Sequence, residues 1–257
     1  GRNDVELLGV TTTFGNGPLD EVHALTGQLL RRLGRQDIPL FKGEGERGQG
    51  PTEAAHFLAG TAAAFPGELT ILALGPVGNL RAAAEVDPAF YGNLKQVACM
   101  GGYLHPLRLG WRPVTELNLA GDPAAAYELL HAPCAVTLMN ADICLQAGFG
   151  WGDLRHVGHW GRQTRGAIRN WLLTHAVGCG LPRFYLWDLL PAVYVSYPEL
   201  FDNNPTWIRS TAADLETGSL VLAEKDEGAC INMPTRILSV NRFKETLFDA
   251  WRQMSID

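Results

Sequence analysis

Two short stretches of this sequence carry side chains that could do chemistry. In the first, TELN, Glu116 and Asn118 are two residues apart and would point to the same side of an extended backbone. A carboxylate accepts hydrogen bonds and an amide both accepts and donates them, a combination suited to recognising hydroxyl groups such as those of a sugar. A solvated loop is the alternative interpretation.

The second stretch is FYLWDLLPAVY, residues 184–194, in which Asp188 is the one carboxylate among apolar and aromatic residues. A run of this kind between Pro182 and Pro198 predicts a buried element, where an unpaired ionised carboxylate would be costly. A hydrogen-bond network, an Arg or Lys, or a metal ion could compensate the charge, and the run alone leaves these three open.

Length and charge limit the classes of protein to consider. With 257 residues and 46% hydrophobic content, the chain can bury a full core, and we expect one domain spanning residues 1–257. The formal net charge of −6 argues against binding to duplex nucleic acid, which requires a basic face. A small molecule is the expected partner.

The five cysteines are odd in number and include no C-x-x-C pair, so neither a disulfide framework nor a zinc knuckle is predicted. No stretch approaches the ~20 apolar residues of a membrane span, and the first residues lack the pattern of a signal peptide. We therefore expect a cytoplasmic protein with no membrane association.

Short β-rich runs alternate with helical patterns along the chain, which predicts an α/β fold with a mostly parallel sheet. The expected strands are 5–13, 38–41, 68–75, 95–102 and 135–142, and the expected helices are 19–33, 53–64, 79–86, 123–131, 160–177 and 241–254, with a hairpin near 207–232. Ligands of such sheets bind at the carboxyl ends of the strands. These ends would bring Asn16, the turn at 74–78, residues 100–102 and Asp142 to one rim, although turn chemistry alone also explains such residues.

Taken in order, six motifs resemble those of the nucleoside hydrolase family, the calcium-dependent N-ribohydrolases of purine and pyrimidine nucleosides. The motifs are LLGVTTTFGN, ILALGPVGNL, VACMGG, TELNLAGDPAAA, LMNADICLQA and FYLWDLLPAVY. The resemblance covers nearly the whole chain. It implies a Rossmann-like, mostly parallel α/β sheet and hydrolysis of the ribosidic bond by a calcium-bound water.

The same resemblance implies a metal site. Asp188 takes the position of a calcium ligand, and the backbone carbonyl of Leu74 takes the position of a second one. A calcium ion beside Asp188 would account for its charge, because the ion stabilises the carboxylate that binds it.

Five residues match the family's substrate positions. Glu116 and Asn118 correspond to side chains that hold ribose hydroxyls, Asn16 lies near the same sugar, and Met100 lines the ribose pocket. Trp187 stands where inosine-uridine types have a His that protonates the leaving base. A Trp there resembles the purine-preferring branch, in which the base stacks on aromatic rings; a core Trp is the alternative.

The sequence also departs from the family. The family opens with a strand that runs into an aspartate cluster, D-x-D-x-x-x-D-D, which supplies further calcium ligands and the general base. This chain starts where the helix after that cluster would end, and Asp4, Asp20 and Asp37 lie in the wrong context to replace it. The first strand and the metal loop are thus expected to be missing, the calcium site to be incomplete, and the catalytic base to be unknown. A shortened form of a longer protein is the preferred explanation; a segment supplied by another subunit and a non-hydrolytic relative are the alternatives.

Two main hypotheses follow. The first is a nucleoside hydrolase that cleaves the N-glycosidic bond of ribonucleosides with a purine preference. The second is an inactive relative or fragment that binds a nucleoside or ribose without hydrolysis. A dinucleotide-dependent enzyme is disfavoured, because no G-x-G-x-x-G follows the first strand. The family also implies a homo-dimer or homo-tetramer.

Overall fold

The computed structural model describes residues 5–254, in which strands and helices alternate. The strands are β1 Val10–Thr12, β2 Leu40–Lys42, β3 Thr70–Ala73, β4 Gln96–Met100, β5 Arg108–Leu109, β6 Arg112–Pro113, β7 Ala135–Met139, β8 Gly148–Gly150, β9 Arg183–Tyr185, β10 Pro205–Ile208 and β11 Ala229–Asn232. The helices are α1 Leu19–Arg32, α2 Glu53–Ala64, α3 Gly78–Val86, α4 Pro123–Leu130, α5 Ala141–Cys144, α6 Arg162–Cys179, α7 Leu189–Ser196, α8 Ala212–Leu215 and α9 Val240–Arg252.

A five-stranded sheet with the order β10-β11-β7-β4-β3 forms the centre of the fold. Its strands β3, β4, β7 and β11 run parallel, and β10 is antiparallel to β11. In the register of the central strands, Val97 lies opposite Ile71 on one side and Val136 on the other. The α/β fold with a mostly parallel sheet is therefore confirmed, and the hairpin expected near 207–232 corresponds to β10 and β11.

Successive side chains of β4 and β7 enter two hydrophobic clusters on opposite faces of this sheet, as the two-residue period of a strand requires. One cluster lies against α2, α3 and α4 and includes Val97, Cys99 and Leu138. The other packs against α7 and α9 and includes Met100 and Met139. Burial on both faces explains why these strands read as nearly continuous apolar runs.

Strands β1 and β2 form a separate parallel pair, with Val10 opposite Leu40. Within residues 5–254 this pair shares no ladder with β3, and a cleft lined by Thr11, Thr13 and Leu72 separates them. The side chain of Asn79, from α3, spans the two parts: its Nδ2 donates to Thr12 O (3.1 Å), and its Oδ1 accepts from Glu44 N (2.9 Å).

The facing edges of β1 and β3 carry backbone groups that do not bond to a neighbouring strand. Val10 N donates to Pro39 O, so by alternation the N–H groups of Thr11 and Thr13 point away from β2. Lys95 N donates to Leu69 O, which puts the polar groups of Leu72 on the side of β3 away from β4. The cleft is therefore bordered by two open strand edges.

Several elements differ in extent from the sequence expectation. The strand expected over 5–13 is limited to Val10–Thr12, and the helix expected over 160–177 lies at Arg162–Cys179. Gly180 ends that helix with a φ of 69°, a left-handed conformation that glycine adopts without strain. No helix between residues 5 and 254 is both long enough and apolar enough to cross a membrane.

Candidate functional site

The carboxyl ends of β3, β4 and β7 form the rim where ligands of parallel sheets bind. Met100 is the last residue of β4 and is buried, and the chain then turns at Gly101 and Gly102. A Cβ on Gly101 would come within 2.8 Å of Leu119 Cγ, so this close approach requires glycine. Ala141 N, at the start of α5, donates to Gly102 O (2.8 Å) and fixes the turn to the end of β7.

Asn118 lies directly over the end of β4. Its Nδ2 donates to Met100 O (2.9 Å) and lies 3.3 Å from Met100 Sδ. These hydrogen bonds use the amide nitrogen and orient the amide, leaving Oδ1 as the atom that can meet a ligand hydroxyl. The structure thus joins two of the residues predicted to line the ribose pocket.

Glu116 supports this loop from inside. It is 4% exposed, and its two carboxylate oxygens accept from Asn118 N (2.7 Å) and Ala120 N (2.8 Å). Glu116 lies outside the strands, in the segment that leads into the bend at Asn118. The carboxylate turns back onto its own loop because two backbone donors there need acceptors.

The apolar run around Asp188 is divided between two elements. Phe184 and Tyr185 belong to β9, the chain turns at 186–188, and α7 starts at Leu189 with Asp188 as its N-cap. Asp188 is consequently an exposed residue, and the expectation of a wholly buried element was wrong at this position. The helix start explains the difference, because it places the side chain at the edge of the packed region.

Among the described residues, no charged side chain compensates the carboxylate of Asp188. Within residues 5–254, no ion pair and no side-chain hydrogen bond to Asp188 is present. Although solvent reaches the residue, the surrounding protein desolvates the carboxylate and raises the pKa of Asp188 from 3.8 to about 6. Burial, together with the charges of Asp188 and Asp142, raises the pKa of Cys144.

The described residues do not by themselves fit a calcium ion. Calcium takes six to eight oxygen ligands, whereas the rim offers Asp188 and the backbone carbonyl of Leu74. No group of three or more His, Cys, Asp or Glu side chains between residues 5 and 254 is arranged to hold a metal. Asp20 pairs with Lys42 and Asp37 with Arg35, so neither replaces the missing ligands. Asp4 lies outside the described residues.

Trp187 is half-buried beside Asp188. Its ring meets Tyr185 edge to face, with the ring centroids 5.6 Å apart, and Cys144 Sγ donates to Trp187 O (3.8 Å). Asn16 lies in the loop after β1 and is exposed. In the described part of the chain, no hydrogen bond joins Asn16 to the other predicted site residues.

A histidine-carboxylate pair at the rim was missed by the sequence reasoning. His105 Nδ1 lies 2.7 Å from Asp142 Oδ1, and the second oxygen of Asp142 accepts from Leu104 N (2.8 Å). Asp142 was expected at the rim, but its partner comes from a loop 37 residues earlier in the chain. The available signal was a histidine three residues after the Gly-Gly turn that follows β4.

A mostly parallel α/β sheet with amide and carboxylate side chains at the carboxyl ends of its strands is typical of proteins that bind a small polar molecule there. Residues 1–246 match the sequence model of the family described as inosine-uridine preferring nucleoside hydrolase. The chain therefore belongs to this family and is a hydrolase of nucleosides, as the ordered motifs indicated.

Named relatives agree with this assignment. Uridine nucleosidase 1 of Arabidopsis thaliana is 28% identical over 233 residues, which cover 77% of this chain and 68% of that protein. A probable uridine nucleosidase 1 of Oryza sativa subsp. japonica is 26% identical, over 85% of this chain and 77% of that protein.

A solved structure shares the fold. A purine-preferring ribonucleoside hydrolase from Gardnerella vaginalis superimposes with a TM-score of 0.84, at 17% identity, covering 97% of this chain and 91% of that one. At this identity the similarity shows the fold alone.

Proposed function

We propose that this protein hydrolyses the N-glycosidic bond of purine ribonucleosides. The observation that supports the preference is Trp187, a half-buried aromatic ring at the rim beside Asp188, where a purine has a larger face to stack than a pyrimidine. The two plant relatives are named for uridine, so the preference of this chain needs a direct measurement.

The residues at the rim have distinct parts in this reaction. Cleavage passes through an oxocarbenium-like state, so the protein must hold the sugar while the bond to the base breaks. Asn118, oriented by Met100 O, would hold a ribose hydroxyl, and Glu116 would keep the Asn118 loop in place and approach a second hydroxyl. Asn16 and Met100 would complete the sugar pocket.

The family resemblance implies that a calcium ion takes part in the reaction. Asp188 and the Leu74 carbonyl are the residues of this chain that would contact the ion, and they provide too few ligands to hold it alone. A homo-dimer or homo-tetramer and a cytoplasmic location are further predictions from the sequence.

The test is release of free base by the full-length protein. Inosine, guanosine, adenosine, uridine and cytidine are incubated separately with calcium or with EGTA, and free base is measured by chromatography. Faster release from the purine nucleosides, abolished by EGTA, is the expected result. Faster release from uridine would overturn the purine preference, and release in EGTA would overturn the calcium requirement.

A matched pair of variants tests the role of Trp187. Trp187→Ala is expected to raise KM for inosine about tenfold, the loss of about 1.4 kcal/mol of stacking. Trp171→Ala, which removes an exposed Trp from α6, should leave KM unchanged. If nucleoside binds in calorimetry and no base is released from any nucleoside, the protein is the non-catalytic binder instead.

A further inference from the structure

We infer that His105, held by Asp142, is the general acid that protonates the departing base; this rests on the proposed function. The Nδ1 atom of His105 lies 2.7 Å from Oδ1 of Asp142, a contact that is an ion pair when the imidazole is protonated. The imidazole is 82% exposed, so its Nε2 faces the solvent at the rim. A carboxylate on Nδ1 fixes the tautomer and ring orientation and leaves Nε2 as the atom that transfers a proton.

Three contacts tie this pair to the predicted binding residues. Leu104 N donates to Asp142 Oδ2 (2.8 Å), and Ala141 N donates to Gly102 O (2.8 Å), so the chain from the end of the Gly-Gly turn to Leu104 is fixed to α5. The same turn begins at Met100, which Asn118 contacts. His105 therefore sits on the loop that continues directly from the predicted sugar pocket.

The opposite end of α5 leads to the predicted base position. Cys144, the last residue of this short helix, donates to Trp187 O (3.8 Å). The short helix α5 therefore contacts the loop of His105 through Asp142 and the loop of Trp187 through Cys144.

The chemistry of the reaction requires such a group. A base leaves poorly as an anion, and proton transfer from a placed side chain contributes about 10²- to 10⁴-fold to rates of this kind. Trp187 cannot serve, because an indole N–H donates hydrogen bonds without releasing its proton. In the described part of the chain, His105 is the histidine ion-paired with a carboxylate.

The step balances with the groups named. As the bond between C1′ and the base nitrogen breaks, its electron pair leaves with the base, and Nε2–H of the His105 imidazolium gives its proton to a base nitrogen. Water adds through its oxygen to C1′ and releases a proton to solvent, and His105 takes up a proton from solvent. The net reaction is nucleoside plus water giving ribose plus free base.

The experiment compares two leaving groups with His105→Gln in the full-length protein. Release of base from inosine is expected to fall about 10²- to 10⁴-fold. Hydrolysis of p-nitrophenyl β-D-ribofuranoside should be nearly unchanged, because nitrophenolate leaves without a proton. Asp142→Asn should also lower the rate of inosine hydrolysis and leave the rate of the nitrophenyl reaction nearly unchanged. This is the result expected for a residue that positions His105.

The control variant is His131→Gln, which alters an exposed histidine at the end of α4 that bonds to Tyr127 O. It should hydrolyse both substrates as the unmodified protein does. An equal loss on both substrates in His105→Gln, or no loss on inosine, would overturn the inference. If the unmodified protein releases no base from any nucleoside, the proposed function fails instead, and the two failures are thereby distinguished.

Discussion

Glu44 and Asp122 direct their carboxylates at the same residue, Gly78, where α3 begins. Both residues are 2% exposed, and among the described residues Glu44 Oε2 and Asp122 Oδ2 have no hydrogen-bond partner. A Cβ on Gly78 would collide with Glu44 Oε2 and lie 3.2 Å from Asp122 Oδ2. The two oxygens are thus within about 5 Å of each other, close enough for the charge of Asp122 to raise the pKa of Glu44.

This arrangement predicts that Glu44→Gln stabilises the protein at neutral pH. The amide has the same shape, removes one of two like charges and can donate to Asp122 Oδ2, for a gain of about 1 kcal/mol in the free energy of unfolding. Urea denaturation of the variant and of the unmodified protein measures this difference in the free energy of unfolding. Glu68→Gln, on an exposed turn, is the control and should have little effect. A loss of stability in Glu44→Gln would mean that the charge of Glu44 has a cationic partner.

The same pair predicts a pH dependence. Burial raises the pKa of Glu44 above 4.5, and the charges of Asp122 and Glu85 add to this, while the N–H of Gly50 and the charge of Arg81 oppose it. Because the folded-state pKa is higher than the unfolded one, the contribution of Glu44 is present below pH 4.5 and is lost as pH rises through the folded-state pKa.

The measurement is the difference in unfolding free energy between Glu44→Gln and the unmodified protein at several pH values. It should be near zero at about pH 4, where protonated Glu44 donates as Gln does, and should increase towards about pH 7. A difference that stays constant over this interval contradicts the assignment.

Asn79 predicts a large loss of stability on truncation. Asn79→Ala leaves Thr12 O and Glu44 N, both in buried surroundings, without their partner, at a cost of about 2 to 4 kcal/mol in total. Thermal and urea unfolding give the value, and Asn170→Ala, on the exposed side of α6, is the matched control. If the two variants have the same free energy of unfolding, the Asn79 side chain does not connect the β1–β2 pair to the main sheet.

The open edge of β3 predicts self-association. Leu72 is 40% exposed on a strand whose outer backbone groups are unpaired, which favours pairing with another chain. Leu72→Lys should lower the mass observed by light scattering at high protein concentration. Leu238→Lys removes a more exposed leucine (57%) away from this edge and should leave the mass unchanged. If the two variants have the same mass by light scattering, the edge of β3 does not mediate association.

Local signals predicted most of the elements. Asp122 caps α4 with Pro123 at the first helical position, as expected, because Asp122 Oδ1 accepts from Ala125 N (3.0 Å). The final amphipathic helix also lies close to its predicted bounds, after a Ser239 cap. Such features depend on neighbours in sequence and can therefore be read from it.

Features that depend on distant residues could not be predicted. Nothing local indicates that β1 pairs with β2 and not with β3, since strand partners are chosen by tertiary packing. The inward turn of Glu116 depends on backbone donors placed by its own loop. The His105–Asp142 pair likewise requires the loops after β4 and β7 to meet.

The separation of β1 and β2 from the main sheet has a consequence for cooperativity. The pair is attached to the rest of the protein by the Asn79 side chain and by the stacking of Phe41 on Phe57 of α2, without a shared ladder. Such a segment can open while the main sheet stays folded, so its amide hydrogens should exchange with deuterium through a low-energy local opening. Amides of β4 and β7, bonded on both sides, should exchange through global unfolding only. The protein would then contain two folding units of unequal stability, with one edge of the predicted site at their boundary.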